Sequence, residues 1–426
     1  MKTILFISPT GTLENGAEVS IFFLMRQLVE DGHNVINVFP KSYRHSQRNY
    51  EKKMTKANIK TIRMDVLKWW WPNAPVTKGV SQKDINFYYE SNYRELLQIM
   101  IDEKVDLVIS NTANVFLGAY AAKKLMVPHF WLIHEYPENE FAYYKQYIPE
   151  ITRLSQKIFS VGGKLNKELN KLFLDKQVDC FYPYVELNSD SKLLNIEGGN
   201  KPNALFSIGK ITRRKNQLEL IKAFRKIQNR YPSMKLKFIG DNDPVYLREC
   251  QDYIKGNNIH NVFFLGIKEN PWTEVEDSDI CVLTSANETF GLVYVECLLN
   301  GIPVIISDND GFMTAYEIFH KGSVYKLGVQ DNLIEIITQT IDHFFEYKKR
   351  ALDYSEIANE IYTSRAMYQN ILKQVEKIDL LTDGIFEKRQ SMVSYNFEFN
   401  KIKTNMIKYW IKLKFIMFLV IQKINS

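Results

Sequence analysis

Short apolar runs recur along the chain, and most are followed by a segment whose apolar positions return every three or four residues. Residues 3–8 form such a run, residues 17–31 carry the helical period and stop at Gly32, and residues 34–39 are apolar again. Strand-like runs at 107–110, 129–133 and 157–161, with a helix at 116–125, complete a first series. The stretch Glu197-Gly198-Gly199-Asn200-Lys201-Pro202 is polar and carries glycine and proline, so it reads as a linker. Beyond it lie strands at 203–208, 235–239, 262–265, 280–284 and 303–307 and helices at 217–229, 244–255 and 292–299. Strands alternating with helices predict α/β architecture with parallel sheets. Residues 330–378 read as helical throughout, whereas 379–400 show no period. The expected organisation is a first α/β domain at 1–196 and a second at 197–350. A helix at 351–380 is expected to cross back to the first domain, and 381–426 form a tail. Two such domains facing across a cleft would bind a ligand at the carboxyl ends of their strands.

The most informative segment is Ser285-Ala286-Asn287-Glu288-Thr289-Phe290-Gly291-Leu292, followed by Glu296 and by the return Gly301-Ile302-Pro303. A strand ends in a small polar loop, a glycine opens a helix, and the chain turns back into another strand. Two carboxylates at different depths, Glu288 in the loop and Glu296 inside the helix, suit two different groups of hydroxyls on one ligand. Amides of Phe290, Gly291 and Leu292 at the helix start are placed for phosphate oxygens. Gly209-Lys210-Ile211-Thr212-Arg213-Arg214-Lys215-Asn216 supplies four cations after the strand that opens the second series.

These residues resemble glycosyltransferase family 4, whose members are retaining enzymes with the GT-B fold of two Rossmann-like domains. The resemblance rests on Glu288 and Glu296 with seven residues between them, Phe290-Gly291, Gly301–Pro303, and Lys210 and Lys215 five apart. It also rests on Asn15-Gly16-Ala17-Glu18 and on His134 after a strand, and it spans about residues 3–370. It implies sugar transfer from a nucleotide diphosphate sugar to a hydroxyl of a glycan or lipid-linked acceptor, with retention and without a metal or other cofactor. Lys215 would contact the donor diphosphate, with Lys210, Arg213 and Arg214 beside it. Lysine at 210 stands where the family usually has arginine and lacks the bidentate fork. Glu288 and His134 would contact the donor sugar, Glu296 the ribose hydroxyls, and Gly311 would face the sugar. Gly16 would let its loop approach the diphosphate, although Asn15 replaces the first of the usual two glycines. Other GT-B readings, a nucleotide-sugar epimerase or a non-catalytic partner subunit, are separated by activity without an acceptor and by the effect of Glu288→Ala and Lys215→Ala. Asp241-Asn242-Asp243 and Asp308-Asn309-Asp310 imitate a metal-binding Asp-x-Asp motif but follow strands, where turn chemistry is expected. No GxGxxG follows a strand, which disfavours a dehydrogenase.

Charge narrows the picture. The chain has 426 residues and a formal charge of +6, and the six lysines at 401–426, a stretch without acids, account for all of it. A neutral body excludes the broad basic face of a nucleic-acid binder. Four widely spaced cysteines without a CxxC fit a reducing cytosol, and the N-terminus reads as a first strand and not a signal peptide. Trp69-Trp70-Trp71-Pro72 reads either as a buried aromatic cluster or as an acceptor or membrane contact. The tail holds Trp410, Phe415 and Phe418 among lysines, and its longest uncharged run, 415–422, is eight residues. That is too short to span a bilayer and suits peripheral contact with an anionic inner membrane face, or packing on the first domain. Deleting 401–426 is expected to weaken binding to anionic liposomes while donor binding survives; equal liposome binding by both forms would return the tail to packing.

Overall fold

The computed structural model describes residues 1–41, 45–64, 81–187 and 201–379. The Trp69–Trp71 run, the linker at 197–200 and the basic tail lie outside the described residues. The chain divides into two compact units, Met1–Val161 with Leu165–Pro183 and the described residues from Tyr368, and Gly162–Lys164 with Tyr184–Met367.

The first unit is built on strands β1 (Thr3–Ile7), β2 (Asn34–Pro40), β3 (Lys60–Met64), β4 (Leu107–Asn111), β5 (His129–Ile133), β6 (Lys157–Val161) and β7 (Val178–Phe181). All neighbours are parallel, in the order β3-β2-β1-β4-β5-β6-β7. Helices α1 (Gly16–Glu30), α2 (His45–Lys56), α3 (Gln82–Asp102), α4 (Leu117–Lys124), α5 (Ile148–Leu154) and α6 (Lys164–Leu172) connect them. β1, β4 and β5 are almost wholly buried, which explains why they read as continuous apolar runs and not as alternating ones.

The second unit repeats the scheme with β8 (Ala204–Ile208), α7 (Gln217–Arg230), β9 (Lys235–Ile239), α8 (Pro244–Gly256), β10 (Val262–Phe264), β11 (Ile280–Leu283), α9 (Leu292–Leu299), β12 (Val304–Ser307), α10 (Asp310–Phe319) and β13 (Ser323–Tyr325). Its parallel order is β10-β9-β8-β11-β12-β13. In each sheet the winding reverses beside the first strand, between β1 and β4 and between β8 and β11. The loops leaving those strands therefore diverge and leave a crevice at their carboxyl ends.

Each strand and helix individually placed from the pattern ends within one residue of its expected bounds. The stretch expected to be helical throughout is instead four helices, α11 (Gln330–Asp342), α12 (Phe344–Ile361), α13 (Ser364–Met367) and α14 (Gln369–Glu376). One break is made by Thr363, whose hydroxyl accepts from the Ala366 amide at 3.2 Å. Tyr368 then anchors the returning chain in the first unit, its hydroxyl donating to the Ser20 carbonyl at 2.7 Å.

A buried ion pair ties β9 to the loop before β11. Lys237 Nζ lies 2.9 Å from Asp279 Oδ2, which also accepts from the Glu276 amide at 3.0 Å. Asp279→Ala leaves the Lys237 ammonium in the core with the Glu274 carbonyl at 3.2 Å and the more exposed Glu276 as its neighbours. The expected cost is about 3–5 kcal/mol, read as a lower denaturant midpoint.

Candidate functional site

In the second unit the two loops at the winding reversal carry Lys215 and Glu288. The Lys215 ammonium hydrogen-bonds Glu288 Oε1, and the Glu288 carboxylate is nearly closed to solvent. Burial alone would raise this carboxyl; Lys215, with Arg214 further off, outweighs it and holds Glu288 below the ordinary carboxylate range.

Both loops are clamped. Thr284 Oγ1 donates to the Asn216 carbonyl at 3.0 Å, and the Ala286 amide donates to the Arg214 carbonyl at 2.8 Å. From the other side, Ser307 Oγ and Asn309 Nδ2 donate to the Ser285 carbonyl at 2.6 and 2.9 Å. Gly311 belongs to this clamp: a Cβ there would lie 2.2 Å from the Glu288 carbonyl oxygen, so only glycine lets α10 approach the Glu288 loop. Gly240 plays the same part beneath Lys210, since its Cβ would meet the Gly209 carbonyl oxygen at 2.4 Å.

Gly291 caps α9 in the left-handed region at φ 90° and has no side chain to occupy the first amides. The first-turn amides are thus those of Leu292 and Val293, one residue beyond expectation, while the Phe290 ring is buried in front of the cap. Glu296 sits one turn inside α9, where burial raises its carboxyl to about 7 and the Trp272 indole N–H, donating to Oε2 at 2.9 Å, pulls it back in part. Not every cation converges on Glu288. Lys210 pairs with Asp241 at 3.2 Å, and Arg213 pairs with Glu249 at 2.6 Å over the Tyr246 ring. The acids of the two Asp-x-Asp stretches are in use: Asp243 caps α8, Asp308 accepts from the Leu327 amide, and Asp310 pairs with Lys164. Asn309, between two of them, caps α10.

Gly16 and His134 belong to the first unit. Gly16 opens α1, and Asn15 caps it by accepting from the Glu18 amide at 3.0 Å, so asparagine at the first glycine position is a helix cap. The glycine that needs its backbone freedom is Gly11, at φ 66°, where a Cβ would strike the Phe39 ring. Glu18 holds this loop: its buried Oε1 accepts from the Thr10 amide at 2.9 Å, the Thr10 hydroxyl at 2.7 Å and the Gly11 amide at 3.2 Å. Burial raises the Glu18 carboxyl to about 7 against those bonds.

His134 follows β5 with its ring edge-on to Phe181, and burial lowers it to about 3, so the imidazole is neutral. Its Nε2 is buried without a hydrogen-bond partner among the described residues, as are both amide atoms of Asn111 and Oδ1 of Asn114. Glu135 accepts from the amides of Ala113 and His134 at 3.3 and 3.1 Å and so binds the loop after β4 to the loop after β5. Burial raises Glu135 to about 7. Unsatisfied buried polar atoms cost about 1–3 kcal/mol each, and several of them gather at the carboxyl edge of this sheet. Sequence reasoning missed Asn111, Asn114 and Glu135; the signal was a polar side chain at the end of a buried strand.

Two family models match the chain: Glycosyltransferase Family 4 at residues 14–188 and Glycosyl transferases group 1 at residues 193–358. An uncharacterized glycosyltransferase of Methanocaldococcus jannaschii is 32% identical over 104 residues, which are 24% of this chain and 25% of that protein. A poly(glycerol-phosphate) alpha-glucosyltransferase of Bacillus subtilis is 29% identical over 39% of this chain and 24% of its own length. The chain thus spans about a quarter of these two relatives. Alpha-monoglucosyldiacylglycerol synthase of Streptococcus pneumoniae is 24% identical over 75% of this chain and 80% of its own. Among solved structures, Anabaena HepE in complex with UDP and glucose has a TM-score of 0.67 at 18% identity, covering 88% of this chain and 100% of that one. The two parallel sheets give this chain the GT-B fold, and the two adjoining family models, each matching about two fifths of it, support a GT-B glycosyltransferase family of the family 4 type.

Proposed function

We propose that the protein moves a hexose, with retention at the anomeric carbon, from a nucleotide diphosphate sugar to a hydroxyl of a glycan or lipid-linked acceptor in surface polysaccharide or glycolipid synthesis. The observation that carries this reading is the clamped Lys215–Glu288 pair at the winding reversal, beside the glycine-capped start of α9. HepE was solved with UDP and with UDP-glucose, and two relatives are named as glucosyltransferase and glycolipid synthase, which supports UDP-glucose as the first donor to test.

On this reading the bond from the anomeric carbon to the diphosphate oxygen breaks as a new bond to the acceptor oxygen forms, and the acceptor proton passes to the departing diphosphate. Lys215 and the first amides of α9 offset the charge that grows on the leaving group, without a metal. Glu288, ionised at neutral pH, accepts hydrogen bonds from sugar hydroxyls, and neutral His134 offers Nε2 to another. Glu296 takes the ribose hydroxyls. No helix among the described residues is long and apolar enough to cross a membrane.

Lys215→Ala is expected to lower kcat/KM for transfer from UDP-glucose by on the order of 10²–10³-fold, because it removes the leaving-group cation and leaves Glu288 without its partner. Sugar isomerised without an acceptor and without release of UDP would sink the transferase reading. Glu296 accepts hydroxyl bonds best when ionised, and its carboxyl titrates near 7. Donor affinity should therefore rise with pH, by up to roughly tenfold between pH 6 and 8, as the proton is lost. Glu296→Gln should flatten that profile, which separates it from any contribution of Glu18 and Glu135. Calorimetric titration at several pH values checks both.

A further inference from the structure

The two carboxylates of the second unit are held in unlike ways. Glu288 is paired with a lysine, whereas Glu296, one turn inside α9, has no cation against it among the described residues. The bond it does have comes from a distant part of the chain: the Trp272 indole N–H donates to Oε2 at 2.9 Å from the turn Pro271–Glu274, between β10 and β11. Both residues are half-buried.

The turn is built to aim the indole. Pro271 opens it with a fixed φ, Asn270 Oδ1 accepts from the Trp272 amide at 3.2 Å, and the Thr273 hydroxyl donates to the Asn270 carbonyl at 2.8 Å. Lys268 pairs with Glu274 at 2.8 Å across it. The indole stands edge-on to Phe206 of β8, whose ring is fully buried, with ring centroids 6.3 Å apart. A residue that only filled this place could be phenylalanine; what tryptophan adds is one donor, directed at one carboxylate oxygen.

The helix that carries Glu296 is fastened as well. Lys348 Nζ of α12 donates to the Gly301 carbonyl at 3.0 Å, and Asn359 Nδ2 donates to the Leu299 carbonyl at 3.3 Å. With both backbones held, the indole bond selects one setting of the Glu296 side chain from the staggered alternatives that its torsions allow. A side chain ordered before the ligand arrives spares the ligand that cost.

We propose that Trp272 is a positioning residue for the donor, holding the Glu296 carboxylate in the orientation that receives the ribose hydroxyls and so making the site prefer a ribonucleotide to its deoxyribose analogue. This rests on the reading of Glu296 as the ribose contact.

The test measures, by calorimetry, binding of UDP and of 2′-deoxy-UDP to the full chain as wild type, Trp272→Phe, Glu296→Ala and the double variant. Phenylalanine keeps an aromatic ring beside Phe206 and removes the donor. Wild type is expected to prefer UDP by about tenfold or more, the worth of a hydrogen bond to a charged group. Glu296→Ala should erase that preference, and Trp272→Phe should cut it by roughly threefold or more as the carboxylate loses its fixed setting. The double variant should match Glu296→Ala, because an indole that acts through the carboxylate has nothing to add once the carboxylate is gone. A merely structural Trp272, or one stacked on the base, would weaken both nucleotides alike and leave the preference intact, and that result would overturn the proposal. So would a further loss of preference on adding Trp272→Phe to Glu296→Ala. A preference lost in Glu296→Ala and kept in Trp272→Phe overturns this inference and leaves the ribose reading standing. A preference kept in Glu296→Ala, or a wild type that shows none or does not bind UDP, overturns both.

Discussion

A carboxylate at the mouth of an anion site is tolerable only if a cation is held against it, and the second unit is organised around that constraint. Glu288 is nearly closed to solvent, and without Lys215 its charge would carry an uncompensated desolvation cost of several kcal/mol. The pair in turn demands that two loops, separated by about seventy residues of sequence, keep a fixed spacing. Thr284, Ala286, Ser307 and Asn309 supply that spacing through hydrogen bonds to backbone carbonyls, and Gly311 supplies it by having no side chain. A preformed pair of this kind is already oriented when ligand arrives, which is the condition under which a fixed dipole or charge is most effective.

A second regularity runs through both units. Glu18, Glu135 and Glu296 are each raised to about 7 by burial, and each is placed at or near the carboxyl end of a strand or in the helix that follows it. They differ in what surrounds them. Glu18 Oε1 and Glu135 Oε2 each accept from two backbone amides and so fix loops, with Glu18 Oε2 left buried without a partner among the described residues, whereas Glu296 Oε2 accepts one indole N–H. Beside them, neutral His134 and the amides of Asn111 and Asn114 leave polar atoms unmatched. Local stability is sacrificed at the sheet edges where hydroxyl-bearing ligands are expected, while the strands beneath are apolar and closely buried.

Legibility in the sequence followed the range of the interaction. Buried parallel strands are continuous apolar runs, so β1, β5, β8 and β12 announced themselves, as did α9 between Gly291 and the Gly301 return. α10 was hidden because Asp308-Asn309-Asp310-Gly311 reads equally as a turn; Asn309 proves to be a helix cap, a turn residue whose side chain bonds the amides of Gly311 and Phe312. β7 was missed because only its end residues are buried, which leaves a short strand without a clear period. The long C-terminal helical region hid its breaks, since Tyr362, Thr363 and Tyr368 are all compatible with a helix locally.

By itself the sequence determined the α/β series, the two-domain plan and the residue types of the second-unit site, because these follow from local periodicity and from motifs confined to a few residues. Only the tertiary structure decided which cations face Glu288 and which are drawn off by Asp241 and Glu249. It alone showed that Gly311 makes room for the Glu288 carbonyl and that Asn111, Asn114 and His134 carry unmatched polar atoms. Ion pairing, close backbone approach and burial depend on which distant segments meet, and the winding order of the strands, not the spacing of residues along the chain, brings those segments together.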